Sequence, residues 1–363
     1  MESPPRPRSG AGALTLIAVA AGLWLLHWLA DIITPLVVAA VLVVLVQALI
    51  HAIDKRWPWM PTWLVVVFAA VLIIATLGVA MLVLIEGVSE IAAQAPALYE
   101  RIDGILATLS RTLELEQPLQ LTGLVGNINV PQFAGRVLGG VQGLVSTLLL
   151  VILYFAFLLA ERRKVARKVR GSTGDGARSR SILQGIGQVG KDIETYVWVQ
   201  TLTGVMLASG ASIVMFAVGL DNALFWTFLL FLLSFIPIVG VTAGSLAPAA
   251  FALLQFPTLT PALIIFGGIQ LVAFIIGNLV YPRMQADAQN ISPVATLLSL
   301  AFWSFLWGMP GAFLSVPLTL TLMLICAQFD QARWVAVMLS NDGTPAAVRK
   351  RPKAPASSAR KGA

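Results

Sequence analysis

The sequence predicts an all-α integral membrane protein of about eight transmembrane helices, with Pro/Gly-broken spans and a small extracytoplasmic helical subdomain. Three observations carry this reading. Of the 363 residues, 58% are hydrophobic and only 11% charged, less than half the ~25% of a soluble domain. Length would allow two soluble domains, but too few polar side chains exist to cover them. Apolar runs recur along the chain, each long enough for the ~20 residues that a crossing helix needs. Lys and Arg gather beside those runs, where they set topology.

Taken in order, residues 1–10 read as a cytoplasmic N-terminus and 11–85 as the first three transmembrane helices, with apolar runs at 11–30, 32–52 and 62–85. Arg6 and Arg8 precede the first run as they would in a signal peptide. No small-x-small cleavage site leads into a polar domain, however, and Asp31 and Pro35 open another apolar run. Residues 86–138 form an extracytoplasmic helical segment. Its apolar positions Ile91, Ala95, Leu98, Ile102, Ile105, Leu109 and Leu113 repeat at helical spacing. Residues 139–160 are the fourth span. Residues 161–196 are a basic loop and an interfacial helix, in which Ile182, Leu183, Ile186, Val189 and Ile193 oppose Gln184, Gln188, Lys191, Asp192 and Glu194. A C-terminal transmembrane core follows over 197–329, with runs at 197–219, 223–254, 259–281 and 293–329. Residues 330–363 are a basic, disordered cytoplasmic tail.

With the N-terminus inside and eight crossings, 20 of the 24 basic residues fall on the cytoplasmic side. Only Arg101, Arg111, Arg136 and Arg283 fall outside. Both termini are therefore expected in the cytoplasm. The net charge of +7 sits in clusters beside apolar runs. These meet anionic headgroups of the lipid bilayer; nucleic acid would need a folded basic face with stacking aromatics.

Enzyme motifs are sparse. Gly185-Ile-Gly187-Gln-Val-Gly190-Lys191-Asp192 matches two phosphate-loop patterns, yet no strand precedes it and its glycines lie in an amphipathic helix pattern. His27 and His51 sit near the ends of the first two spans, outside any H-E-x-x-H pair. No metal site, no cofactor and no catalytic residue is expected, and Cys326 is the single cysteine.

Prolines and glycines inside the apolar runs are the informative feature. The sixth run holds Ser234, Pro237, Gly240, Thr242, Gly244 and Pro248; the eighth holds Gly308, Pro310, Gly311, Ser315 and Pro317. A helix-interior proline frees a carbonyl at a cost of about 3 kcal/mol. In hydrocarbon such groups survive only against protein or a water-filled cavity. Breaks at Pro237, Gly240 and Gly244 are therefore expected at a polar cavity, with Pro310 and Ser315 marking a second break. Gln270, Asn278 and Arg283 of the seventh span are candidates to line the pathway. The two amides are eight residues apart, on nearly one face of an α-helix. Packing of the broken helices, or snorkelling of Arg283, is the plainer alternative.

The stretches 277–284, 292–293, 297–303, 306–311 and 314–318 resemble the AI-2E transporter family. So do 196–202, 219–226 and 234–237, in the family's usual order. The resemblance spans about 11–329. It implies an eight-span bacterial inner-membrane permease, some members exporting autoinducer-2 and others resembling sodium/proton antiporters. It also implies a homo-oligomer, of the pentameric kind. This chain departs from the pattern at Gln200, where many relatives carry lysine, and at Tyr281, where they carry an acid. It departs again over 286–290, which lacks their glycines.

The function expected is export of a small polar solute of the autoinducer-2 kind. A cation/proton antiporter is the alternative, but Asp31, Glu86, Glu161, Asp192, Glu194 and Asp221 all lie at span ends and no carboxylate lies mid-span. A non-transporting scaffold is the third reading; it needs no broken span, so Pro237 and Pro310 speak against it.

Overall fold

The computed structural model describes residues 9–56, 59, 61–112, 130–173, 176–285, 290–329 and 331–343. The outermost N-terminal residues, the middle of the 86–138 segment and the basic end of the tail lie outside these. Among the described residues the regular structure is helical throughout. In order come α1 (Ser9–Trp28), α2 (Ala30–Arg56), α3 (Thr62–Thr112), α4 (Val130–Thr173), α5 (Ala177–Val218), α6 (Ala223–Ser234), α7 (Val239–Gln255) and α8 (Thr260–Ile275). A π-helical turn (Ile276–Val280), α9 (Tyr281–Gln285), α10 (Pro293–Gln328) and α11 (Arg333–Leu339) complete the chain.

Six helices are long and apolar enough to cross a membrane, among the described residues. They lie over 30–47, 63–91, 143–161, 182–218, 260–280 and 293–328. Beyond these six, 17–28 of α1 is a shorter apolar helix, and the 223–254 run is two short helices, not one. Large apolar side chains such as Leu149, Phe157 and Ile213 are exposed on these helices, as a hydrocarbon surround allows.

The helices overrun the bilayer. α3 has 51 residues, about 76 Å of helix against a core of ~30 Å. The amphipathic segment after Glu86 begins as an unbroken continuation of the third span. Residues 113–129, with Leu113 of its stripe, lie outside the described residues. The basic stretch is helical too: α4 continues to Thr173 and α5 starts at Ala177. The stripe from Ile182 to Ile193 is the first part of the 42-residue α5.

The chain folds as two compact units, one of residues 1–162 with 197–284 and one of 163–196 with 285–363. In the first, Ala39, Val46, Val65, Ala69, Val151 and Phe155 bring α2, α3 and α4 together. A second apolar cluster in that unit joins α5 to α8 through Leu207, Met215, Leu230, Phe251, Ile265 and Ile269. In the second unit, α10 is the most buried helix and α11 packs on it. There Gly185 of the rejected phosphate-loop pattern lies against Gln328, where a Cβ would come within 2.6 Å of the amide.

Candidate functional site

The sixth apolar run folds back on itself. α5 ends on Gly219 (φ 77), whose N–H donates to Phe216 O at 3.1 Å while Leu220 N–H donates to Met215 O at 3.0 Å. This left-handed C-cap turns the chain sharply. α6 has 12 residues, about 18 Å of helix, too short to cross. α7 then returns beside it. Gln255 closes the base: its Oε1 accepts from Asp221 N–H at 2.9 Å and its Nε2 donates to Gly219 O at 3.0 Å. From α3, Arg101 Nη2 donates to Phe256 O at 3.3 Å. The chain leaves this hairpin where it entered.

Two glycines let the arms meet. A Cβ on Gly240 would overlap the Leu233 carbonyl, and one on Gly244 would overlap the Leu230 side chain. Pro248 is fully buried in α7 and offers no N–H to the Gly244 carbonyl. Nearby in α6, Trp226 Nε1 and Thr227 Oγ1 are buried with no hydrogen-bond partner among the described residues.

The tip spans Ser234 to Gly240. Phe235 and Ile236 N–H donate to Leu232 O (3.1 Å) and Leu233 O (2.8 Å), tightening the end of α6. Ser234 is buried, and its Oγ donates to Phe231 O at 2.7 Å. Its carbonyl accepts a 2.6 Å hydrogen bond from Gln200 Nε2 of α5. Pro237 sits in the turn and interrupts no helix. Ile238 has φ 66 and ψ −54, and Val239 N–H donates to Pro237 O at 2.6 Å. This is a three-residue γ-turn of the rare positive-φ kind.

Gln270 of α8 is half-buried and reaches α7, its Nε2 donating to Ser245 Oγ at 3.4 Å. Ser245 is fully buried and donates in turn to Thr242 O at 3.0 Å. Asn278 is elsewhere: it is exposed, in the π-helical turn, and bonds back to Phe274 O at 2.8 Å. The common face expected for the two amides assumes 3.6 residues per turn, and a π-turn is wider. Arg283 is exposed in α9.

The eighth run also folds back, within the second unit. Gly308 of α10 has φ 65 and ψ −142. Trp303 Nε1 donates to Thr319 Oγ1 at 3.0 Å; a straight helix would hold those residues about 24 Å apart. A Cβ on Gly311 would overlap the Trp303 carbonyl. At the base, Ser292 N–H donates to Leu339 O at 3.0 Å and Asn290 Oδ1 accepts from Asn341 N–H at 3.1 Å. Pro310 is exposed at the start of the second arm, where a missing N–H costs little. Ser315 is fully buried and donates to Ala312 O at 2.8 Å.

The structure thus gathers Ser234, Pro237 and Gly240 at one tip, with Gly244 one turn below Gly240 and Gln270 bonded to Ser245 of the same arm. It places Asn278 and Arg283 apart from them, and Pro310 and Ser315 in the second hairpin. Sequence reasoning gave no role to Gln200, Ser245, Gln255, Trp303 or Thr319. A lone amide in an apolar run was the available signal for the two glutamines. Among the described residues no group of three or more His, Cys, Asp or Glu could hold a metal.

An all-helical, multi-pass membrane protein whose apolar helices are broken by polar-tipped hairpins has the build of a secondary transporter. A family model, that of the AI-2E family transporter, matches residues 14–330, and the chain belongs to that family of transport proteins. YhhT of Escherichia coli strain K12, whose name assigns it to transport provisionally, is 27% identical over 331 residues, 88% of this chain and 91% of its own. A similarly named protein of Haemophilus influenzae is 27% identical over 340 residues, 87% and 91% of the two chains. The AI-2 transport protein TqsA of Escherichia coli strain K12 is 25% identical over 333 residues, again 87% and 91%.

Proposed function

We propose that this chain is an inner-membrane permease that exports a small polar solute of the autoinducer-2 kind. The observation that carries the reading is the pair of helical hairpins. Each sets backbone polar groups inside an apolar run, which hydrocarbon tolerates only at a cavity or a protein contact. The name of TqsA supports the solute class. In this reading Ser234, Gly240 and Gly244, with Gln200 and Gln270, form one polar surface, and Pro310 with Ser315 belongs to a second. Asn278 and Arg283 stay candidates further along the path. The protein works as a homo-oligomer, which native mass measurement in detergent tests.

The same hairpin revises the topology. Eight crossings would set Phe256 and Arg101 on opposite sides of the bilayer, yet the two are hydrogen-bonded. With 223–255 and 293–328 re-entrant, six helices cross: α1 to α5 and α8. Both termini remain cytoplasmic. Arg283 moves inside, leaving Arg101, Arg111 and Arg136 as the basic residues outside, a stronger inside bias than eight crossings give.

The deciding experiment measures uptake and efflux of labelled autoinducer-2 and of sodium in proteoliposomes, with and without a pH gradient. Autoinducer-2 flux above empty vesicles is expected, without a requirement for sodium. Sodium-for-proton exchange in place of solute flux would overturn the reading in favour of antiport.

A further inference from the structure

We propose that α11 is a membrane-surface anchor. Its outward face lies in the headgroup layer of the cytoplasmic leaflet, binds anionic phospholipid there and holds the base of the second hairpin. The inference rests on the re-entrant reading of 293–328 above, and not on the identity of the solute. α11 is amphipathic in the opposite sense to a helix on a soluble surface. Ala336 is fully buried. On the other side Trp334 is 64% and Met338 73% exposed, with Val337 exposed between them. Spacings of three and four residues hold these side chains within about 100° of arc. That arc carries no charged side chain; Arg333 flanks it. Water penalises such a face, and the protein leaves it uncovered.

The helix is tied to both arms of the hairpin. Its first residue, Arg333, follows the end of α10 by five positions. Its far end is stapled to the start of α10, where Ser292 N–H donates to Leu339 O. Asn290 Oδ1 accepts from Asn341 N–H (3.1 Å) and Asp342 N–H (3.2 Å), and its Nδ2 donates to the Asp342 carboxylate.

Position and charge decide what covers the outward face. α10 is apolar, and as a re-entrant hairpin it has both ends at the cytoplasmic surface. A helix joined to those ends lies at the level of the headgroups. Trp suits that layer, where an amphipathic helix sinks its apolar face by ~5–10 Å. Beyond Gly343 the sequence supplies Arg349, Lys350, Arg351, Lys353, Arg360 and Lys361, with no acid in 344–363. Basic side chains tethered beside an interfacial helix select anionic headgroups over zwitterionic ones. On its own, a face three side chains wide falls far short of the ~1,200 Å² of a stable protein interface.

Full-length protein with Val337→Cys in a Cys326→Ala background carries one thiol, on the outward face. Labelled there with a polarity-sensitive dye, it is reconstituted in vesicles of phosphatidylcholine, alone or with phosphatidylglycerol in equal part. Each vesicle also holds lipid bearing a nitroxide, either near the headgroup or at mid-chain. The shallow nitroxide should quench more strongly than the deep one. Quenching should be about twofold greater in the anionic vesicles, and high salt should abolish that excess. Adding Trp334→Ser and Met338→Ser should lower shallow quenching about threefold. If that variant does not assemble, the single reporter decides the case. Equal quenching in both vesicles overturns the anionic assignment. Stronger quenching from mid-chain, or none from either nitroxide, overturns the anchor; a blue-shifted but unquenched label marks a second copy on the face. An impermeant maleimide that labels position 337 in intact cells would put the hairpin base outside, and the topology would fall together with the cytoplasmic anchor. A shielded position 337 with no lipid quenching would leave the topology and sink the anchor alone. None of these readings needs solute flux, so failure of autoinducer-2 efflux is a separate result.

Discussion

Both hairpins reverse an apolar chain through a residue of positive φ, and both place a glycine under the opposing arm's carbonyl. Gly240 lies under Leu233 and Gly311 under Trp303. They differ in what occupies the positive-φ position. The second hairpin uses Gly308 at φ 65; the first uses Ile238 at φ 66. Glycine adopts that region freely, whereas isoleucine does so against a cost of order 1–3 kcal/mol. Their clasps differ likewise. The arms of the second hairpin are tied by a side-chain bond within the hairpin, Trp303 to Thr319. The tip of the first is tied from outside, by Gln200. One turn is relaxed and self-contained; the other is strained and held by a neighbour.

The largest test of this contrast concerns what the hairpins share. Gly240→Ala and Gly311→Ala each force a Cβ into a backbone carbonyl, and each should lower stability by about 3 kcal/mol or abolish assembly. Thermal unfolding in detergent reads this, and wild-type melting in either variant would show that the arms are further apart than described. Next come the two positive-φ positions, where the signs should diverge. Gly308→Ala should destabilise by about 2 kcal/mol, while Ile238→Gly should stabilise by about 1 kcal/mol, glycine's chain entropy offsetting part of the relief. Equal signs would end the comparison. The internal clasp is a smaller matter: Trp303→Phe keeps one aromatic ring but loses the indole N–H and its bond to Thr319, about 1 kcal/mol.

Composition and the spacing of apolar runs made the helical, membrane-spanning character legible, because burial in lipid constrains every residue of a span in the same way. Pro237, Gly240, Pro310 and Gly311 marked the right places as breaks. Composition could not tell a kink from a reversal, since both call for the same residues. What settles it is long-range: Gln255 meeting Gly219, and Trp303 meeting Thr319. Neither pair has a local signature. The separation of Gln270 from Asn278 was equally hidden, because no residue in 276–280 announces a π-turn. Gln200 could be seen only as an amide in an apolar run; its partner, a backbone carbonyl 34 residues away, leaves no mark in sequence.

The closed base of the first hairpin bears on how the protein is made. A nascent α6 has 12 residues, well short of the ~20 that partition into a bilayer as a spanning helix. It presents the insertion machinery with nothing it can release alone. The backbone groups leading into it, Gly219 O and Asp221 N–H, lack their side-chain partner until α7 emerges and Gln255 bridges them. The two arms must therefore be held and delivered together, after α5 is in place to receive them. Because the chain exits on the side where it entered, the hairpin adds nothing to the parity of crossings. Excising 223–255 would leave α8 and everything after it in the same orientation, inserted the right way round around a missing piece.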